Sequence, residues 1–269
     1  MDDPKYLSNN SPPCLCSKAH GKARIPTVEP KIEALHIANI SHELRTPLHG
    51  ILSFANIALN RPEKMTVETS LRYFQNIRTS GERLLALIDD LLDLTKLESG
   101  KMELNYSSGS LESLVKECIL EQQARLNELG IEVFWEPKSE LGEGAFDRVR
   151  IAQVVTNLLS NAIKFTALEK RIEFFISSTI IDCNNKQLPA ILFSIRNSGD
   201  GIPEGELELI FDQFSQSSNS RSSSKIAGTG LGLAICREII RVHAGKIWSE
   251  NHPQSGAVFK FIIPIQDLA

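Results

Sequence analysis

The sequence predicts two domains: an α-helical hairpin that joins a second copy in a dimeric four-helix bundle, followed by an α/β sandwich. Three observations predict it. Two long stretches before Gly100 carry apolar residues at steps of three and four, with a short break between them. After Gly100 the rhythm changes to short segments with alternating strand and helix patterns. The strand-like segments lie at hairpin-like spacings, which gives one sheet, mostly antiparallel.

The elements follow in order. Residues 1–30, with "SNNSPP" and "RIPTVEP", read as a flexible leader. From Ile32 to about Leu59 the residues Ile37, Ile40, Leu44, Leu48, Ile51, Ala55 and Ala58 keep a helical period. "NRPEKMT" is the break, with Pro62 placed to open the turn. A second helix carries Leu71, Phe74, Ile77, Leu84, Ile88, Leu91 and Leu92, and "LESGK" stops it with Gly100 at the cap. A lone hairpin leaves part of both apolar stripes uncovered, so a bundle built from two chains is the natural solution. These helices make residues 31–100 one domain and residues 101–269 the other.

In the second domain "KMELNY" is strand-like. "SLESLVKECILEQQARLNELG" reads as one helix from an N-cap at Ser110 to a C-cap at Gly130. "IEVFWEP" is a strand and "DRVRIAQVVTNLLSNAIKFT" a helix. "RIEFFISSTII" and "AILFSIRN" are two strands, before a polar stretch that runs to Gly228. "LGLAICREIIRVHAG" is a helix ending at Gly245, and "KIWSEN" and "AVFKFIIPI" close the sheet.

Composition narrows the function classes. Charged residues make up 23% of the 269, apolar ones 42%, and the net charge is -4. Without a basic run, nucleic acid is not the expected partner. No stretch approaches the roughly 18 apolar residues of a membrane helix, and the N-terminus lacks the apolar core of a signal peptide. The expectation is a cytoplasmic chain with no membrane insertion of its own, or the soluble part of a membrane-attached sensor. Cys14, Cys16, Cys118, Cys183 and Cys236 read as free thiols in a reducing compartment, and Cys14, Cys16 and His20 lack a second ligand pair for a metal.

Candidate chemistry sits in four places. In "ISHELRTPLHG", His42 lies off the apolar stripe, beside Glu43 and on the same side as Arg45 and Thr46. An exposed imidazole beside a carboxylate is a candidate nucleophile with its base. Pro47 disfavours an ordinary helix interior and suggests a local bend. In "NLLSNAIKF", Asn157, Asn161 and Lys164 share one helix stripe, and two amides in line with an ammonium suit an oxygen-rich anion with a hard cation. "NSGDGIP" and "GTGLGLAI" bring glycines spaced by two, which let backbone amides approach a phosphate. Between them "FDQFSQSSNSRSSSKIA" reads as a mobile lid with Arg221 and Lys225 available for phosphate.

The order "HELRTP", "NLLSNAIKF", "NSGDG", "FDQF", "GTGLGL" resembles the cytoplasmic core of the two-component sensor histidine kinases, as that family's H, N, G1, F and G2 boxes. The likeness spans roughly Ile32 to Ile265. It implies a dimeric phosphoacceptor hairpin followed by a Bergerat-type ATP-binding sandwich. It implies ATP and Mg2+ as cofactors, a homodimer, and the receiver domain of a response regulator as partner. By the same resemblance His42 is the autophosphorylated histidine, Glu43 its base, and Thr46 the hydroxyl that positions water in dephosphorylation of a partner. Asn161 is the magnesium ligand, Asn157 supports the site, and Lys164 contacts phosphate. Gly199 and Gly201 shape the adenine side, Phe211 and Phe214 anchor the lid, and Gly228, Gly230 and Gly232 line the phosphate side.

One position departs from the pattern. The family's G1 box opens with an aspartate that accepts from the adenine amino group, and here Asn197 stands in that place. An amide accepts through its oxygen but loses charge assistance, so ATP affinity is expected to weaken by about 1–3 kcal/mol. The alternative that follows is an ATP-site-impaired pseudokinase acting as a dimerising regulatory module.

Overall fold

The computed structural model describes residues 30–60, 66–135, 143–166, 170–183, 186–218 and 229–265. Residues 1–29 of the leader, residues 61–65 of the turn with Pro62, and Arg221, Lys225 and Gly228 of the lid lie outside the described residues.

Two long helices open the fold, α1 (Pro30–Asn60) and α2 (Val67–Glu98). Thr66 caps α2 through its side chain, which accepts from Thr69 N at 3.1 Å. Gly100 ends it in the left-handed region, at φ 65°. Gly100 N donates to Leu97 O and Lys101 N to Lys96 O, the paired bonds of a Schellman cap. α1 runs unbroken through Pro47, which is buried. The proline is thus a packed residue of a continuous helix rather than part of an exposed bend. Leu48, which the periodicity placed in the stripe that includes Leu44, is 45% exposed in the single chain.

Among the described residues the sandwich has seven strands, four α-helices and two short 3-10 helices, Glu204–Glu206 and Leu209–Phe211. β1 (Tyr106–Ser110) pairs antiparallel with β3 (Glu143–Asp147) as a small separate sheet. The main sheet takes in β2 (Glu132–Trp135), β4 (Arg171–Cys183), β5 (Lys186–Asn197), β6 (Lys246–Asn251) and β7 (Ala257–Pro264). Its order is β2-β4-β5-β7-β6, with β2 and β4 parallel and every other pair antiparallel. The helices are α3 (Leu111–Glu121), α4 (Gln123–Leu129), α5 (Arg148–Phe165) and α6 (Gly232–Val242).

Three local expectations need correction. The strand expected over "KMELNY" lies later, at "YSSGS". Met102 packs on the core from an extended connector, while the true strand is held by its backbone ladder to β3 and shows no apolar alternation. β3 carried no legible signal, because a short strand containing Gly144 has no period to read. The single helix over Ser110–Gly130 breaks at Gln122, although Ser110 does cap its start and Gly130 closes its end at φ 65°. The last helix, expected to end at Gly245, ends at Val242, and the chain leaves it through Ala244 in the left-handed region, φ 56°. Gly245 is needed for a close approach: a Cβ there would come within 2.2 Å of Ile262 O.

Register brings the inner face together. Phe174 stands opposite Ile195, which stands opposite Phe259, and Ile176, Phe193 and Phe261 form the next row. Phe193 and Phe261 stack at 4.7 Å. Ile151, Val154, Leu158 and Leu159 of α5 and Ile235, Ile239 and Ile240 of α6 bury against this face. Leu87, Leu94 and Leu97 of α2 belong to the same core, so the hairpin and the sandwich share packing. Asp147 ties the start of α5 in place. Its Oδ1 accepts from Arg150 N, its Oδ2 from Asn105 N, and its backbone N donates to His243 Nε2 at 3.2 Å.

Candidate functional site

The register sets the site. Ile172 pairs with Asn197, so Asn197 occupies the last inward place of β5, at the end of the core where the sheet stops. There α5 and the start of α6 diverge from the sheet and leave a cavity of about 420 Å³. That is within the usual range for a small-molecule site.

One wall is the polar stripe of α5. Asn157, Asn161 and Lys164 all line the cavity, half-buried, as their shared helix face requires. Asn157 Nδ2 lies 3.4 Å from Gly232 O, which leaves its Oδ1 for a ligand. Burial pushes the Lys164 ammonium down from its ordinary pKa, and the nearby Arg83 charge adds to this. Gly230 and Gly232 line the same end. Leu231, the N-cap of α6, offers no side-chain acceptor, so the first amides of that helix are left to a ligand. Gly230 sits at φ 71°, and a Cβ on it would lie 2.7 Å from the Phe214 backbone. Phe214 N donates to Gly230 O, which joins the two ends of the lid. Phe214 itself has φ 60° and packs partly on the core, whereas Phe211 is buried edge-to-face against Phe259.

The other end is apolar, with Ile202, Ile210, Ala257 and Phe259. Asn197 is the buried polar group there, 3% exposed. Its Nδ2 donates to Phe165 O at 3.1 Å. A carbonyl accepts only from the nitrogen, so this bond fixes the amide and leaves Oδ1 as the atom for a ligand donor. Gly199 is buried beside it, where a Cβ would come within 2.2 Å of Phe165 O. Gly201 turns the loop into the cavity wall.

Some participants gave no sequence signal. Asn251 clamps the loop after Gly201, accepting from Ile202 N at 2.8 Å and donating to Ile202 O at 2.6 Å. Nothing in "KIWSEN" announces a partner so distant along the chain. Glu206 holds the lid stem, accepting from Ser217 Oγ at 2.7 Å and Ser218 N at 3.1 Å. Asp90 reaches the cavity from α2. Burial, then Asp93 and Asp89, push its carboxyl up to about 6.

The α1 cluster is a surface feature. The His42 side chain is 75% exposed, with Nδ1 3.9 Å from Glu43 Oε1. Thr46 Oγ1 donates back to His42 O at 3.3 Å. His49 is exposed. Chemically, α1 offers an accessible nitrogen nucleophile. The cavity offers an apolar slot for a flat group beside amides and an ammonium for an anion.

Comparison with known proteins agrees with both halves. Residues 33–100 match the family model of the His Kinase A (phospho-acceptor) domain, and residues 146–267 that of the histidine kinase-, DNA gyrase B-, and HSP90-like ATPase. The circadian input-output histidine kinase CikA of Synechococcus elongatus is 33% identical over 234 residues, 86% of this chain and 30% of CikA. The chain therefore spans less than a third of that relative. Full-length ShkA in complex with AMPPNP has a TM-score of 0.61 at 28% identity, covering 87% of this chain and 46% of ShkA. Histidine kinase ThkA in complex with the response regulator TrrA gives 0.61 at 26% identity, covering 88% of this chain and 63% of ThkA.

Proposed function

Because the chain belongs to the sensor histidine kinases, we propose that it takes the γ-phosphoryl group of ATP onto His42 and passes it to the aspartate of a response regulator receiver domain. The observation that carries this is the pairing, in one cavity, of an apolar slot holding an oriented acceptor with an anion end built from α5 and the start of α6. Adenine fits the slot, its amino group donating to Asn197 Oδ1. The phosphates lie toward Asn157, Asn161, Lys164, Gly230 and Gly232. The chemistry is mainly positioning and charge neutralisation.

In the transfer, the free ring nitrogen of His42 forms a bond to the γ-phosphorus as the bond to the β,γ-bridging oxygen breaks and ADP leaves. Glu43, beside Nδ1, takes up the proton that the phosphorylated ring sheds. An amide at Asn157 cannot act as a base toward water, which favours His42 over hydrolysis. Oxygens of Asn161 and Asn157 are hard donors suited to Mg2+, with Asn161 as its ligand. Bound there, the ion would offset triphosphate charge. Thr46, exposed one turn from His42, is the hydroxyl that positions water for hydrolysis of the receiver's aspartyl phosphate. Gly199 and Gly201 shape the adenine side, Phe211 and Phe214 anchor the lid, and Lys225 and Gly228, outside the described residues, serve the phosphate side.

The hairpin of residues 31–100 acts as a homodimer in the cytoplasm and the sandwich of residues 101–269 as its ATP-binding domain. Among the described residues no helix is long and apolar enough to cross a membrane. An idle ATP site draws no support from Asn197, since its amide presents the same kind of atom, an acceptor, that an aspartate would. The test is incubation with γ-labelled ATP and magnesium. Acid-labile label on the wild type, lost in His42→Gln, is expected; absence of label from the wild type sinks the reading.

A further inference from the structure

The hairpin reaches the cavity through α2, which sets the carboxylate of Asp90 in its wall and brings the Arg83 charge near Lys164. Asp90 of α2 lines the cavity alongside Asn157, Asn161 and Gly232. It shares that wall with Gly232 and Leu233, the first residues of α6, where anions are favoured. Its charged neighbours are Asp93 and Asp89, and among the described residues no Lys or Arg pairs with it. Among the described residues, two carboxylates, Asp90 and Asp200, line the cavity with one ammonium, Lys164, which has the Arg83 charge near it.

The rest of α2 holds that wall in place. Leu87, Leu94 and Leu97 are buried in the shared core. Asp93 Oδ2 accepts from Arg150 at 2.9 Å and from Gln153 at 3.0 Å, and Glu98 accepts from Gln213. α2 is thus bound to the sandwich by contacts that favour docking, and docking sets Asp90 in the cavity wall.

We propose that Asp90 sets docking of α2 and binding of a nucleoside triphosphate against each other, its carboxylate standing where phosphate charge gathers. This rests on the reading of the cavity as an ATP site. A magnesium-bound triphosphate is still an anion. Across a partly desolvated cavity its repulsion from a carboxylate is screened far less than in water. Docked α2 therefore lowers nucleotide affinity. By linkage, bound nucleotide loosens α2 by the same factor. The docked arrangement is a resting state, and nucleotide frees the sandwich to carry its γ-phosphate to His42.

The experiment titrates the full chain with AMPPNP and magnesium, and follows hydrogen exchange over residues 87–97 with and without it. Asp90→Asn removes the charge at nearly constant volume. Asp89→Asn, an exposed neighbour outside the cavity, removes the same charge from the same helix. Asp90→Asn is expected to bind about tenfold tighter, and Asp89→Asn like the wild type. AMPPNP is expected to speed exchange in α2 of the wild type but not of Asp90→Asn. Equal affinities for Asp90→Asn and the wild type overturn the proposal. Weaker, magnesium-dependent binding by Asp90→Asn also overturns it and makes Asp90 a ligand of the cation. Absence of binding by all three proteins sinks the ATP reading itself, a result distinct from either.

Discussion

At the scale of single residues, Asn197 changes meaning between sequence and structure. In the sequence it is a lost carboxylate. In the fold its Nδ2 satisfies Phe165 O, so the side chain serves two partners at once. A carboxylate would set an oxygen against that carbonyl. Asn197→Asp is therefore expected to lower Tm and to bind ATP no better than the wild type, by calorimetric titration at pH 8. Asn197→Ala is expected to lose about 1–3 kcal/mol of binding, as both the acceptor and the Phe165 partner are lost. Tighter binding by Asn197→Asp would show the amide to be the poorer recogniser. His243 gives a pH prediction. It is buried, accepts from Asp147 N, and burial lowers its pKa from 6.5. Below about pH 6.5 the unfolded chain takes up a proton that the folded imidazole refuses, so stability falls as pH drops through that value toward the lowered pKa, then levels. Above it the residue contributes no slope. Tm measured at pH 7.5 and 5.5 should fall in the wild type and fall less in His243→Gln.

At the scale of elements, legibility followed periodicity. The stripe Asn157, Asn161, Lys164 was readable because a helix repeats, and a shared face in the sequence is a shared face in the fold. The β4–β5 pair was readable from its β-branched and aromatic runs. β3, Asn251 and Asp90 were not, because what defines them is a partner far along the chain, and no local period encodes one. The lid hinge lies between these cases. Its glycines were visible, but only the fold shows that Gly230 lies under the Phe214 backbone. At φ 71° and with 2.7 Å to Phe214, a side chain there is strained twice over. Gly230→Ala is expected to displace the Phe214 end of the lid and weaken nucleotide binding at least tenfold, while far-ultraviolet circular dichroism stays that of the wild type. Unchanged affinity would mean that the hinge does not set the shape of the phosphate end.

At the scale of the whole molecule, the hairpin leaves apolar stripes on both its helices exposed in the single chain. On α2 the positions 71, 74, 78, 81, 85, 88 and 92 step by three and four, and Leu71, Phe74, Leu85, Ile88 and Leu92 among them are 40–64% exposed. On α1 Leu48, Leu52 and Leu59 repeat the pattern at 45%, 50% and 76%. The opposite α2 stripe, with Leu87 and Leu94, is already buried, so α2 carries two seams and a single chain fills one. Half-burying one such side chain contributes about 1 kcal/mol. Both stripes from two chains then reach the upper end of the roughly 4–15 kcal/mol that association costs. A second copy of the hairpin supplies a complementary face of the same period. Placing carboxylates in this seam, Leu52→Glu with Leu85→Glu, should desolvate charges without partners and set like charges together. Sedimentation equilibrium at micromolar concentration is expected to give twice 29.9 kDa for the wild type and 29.9 kDa for the double variant, with helical signal retained. A wild type that sediments as a monomer, or a double variant that stays dimeric, would move the interface off these stripes.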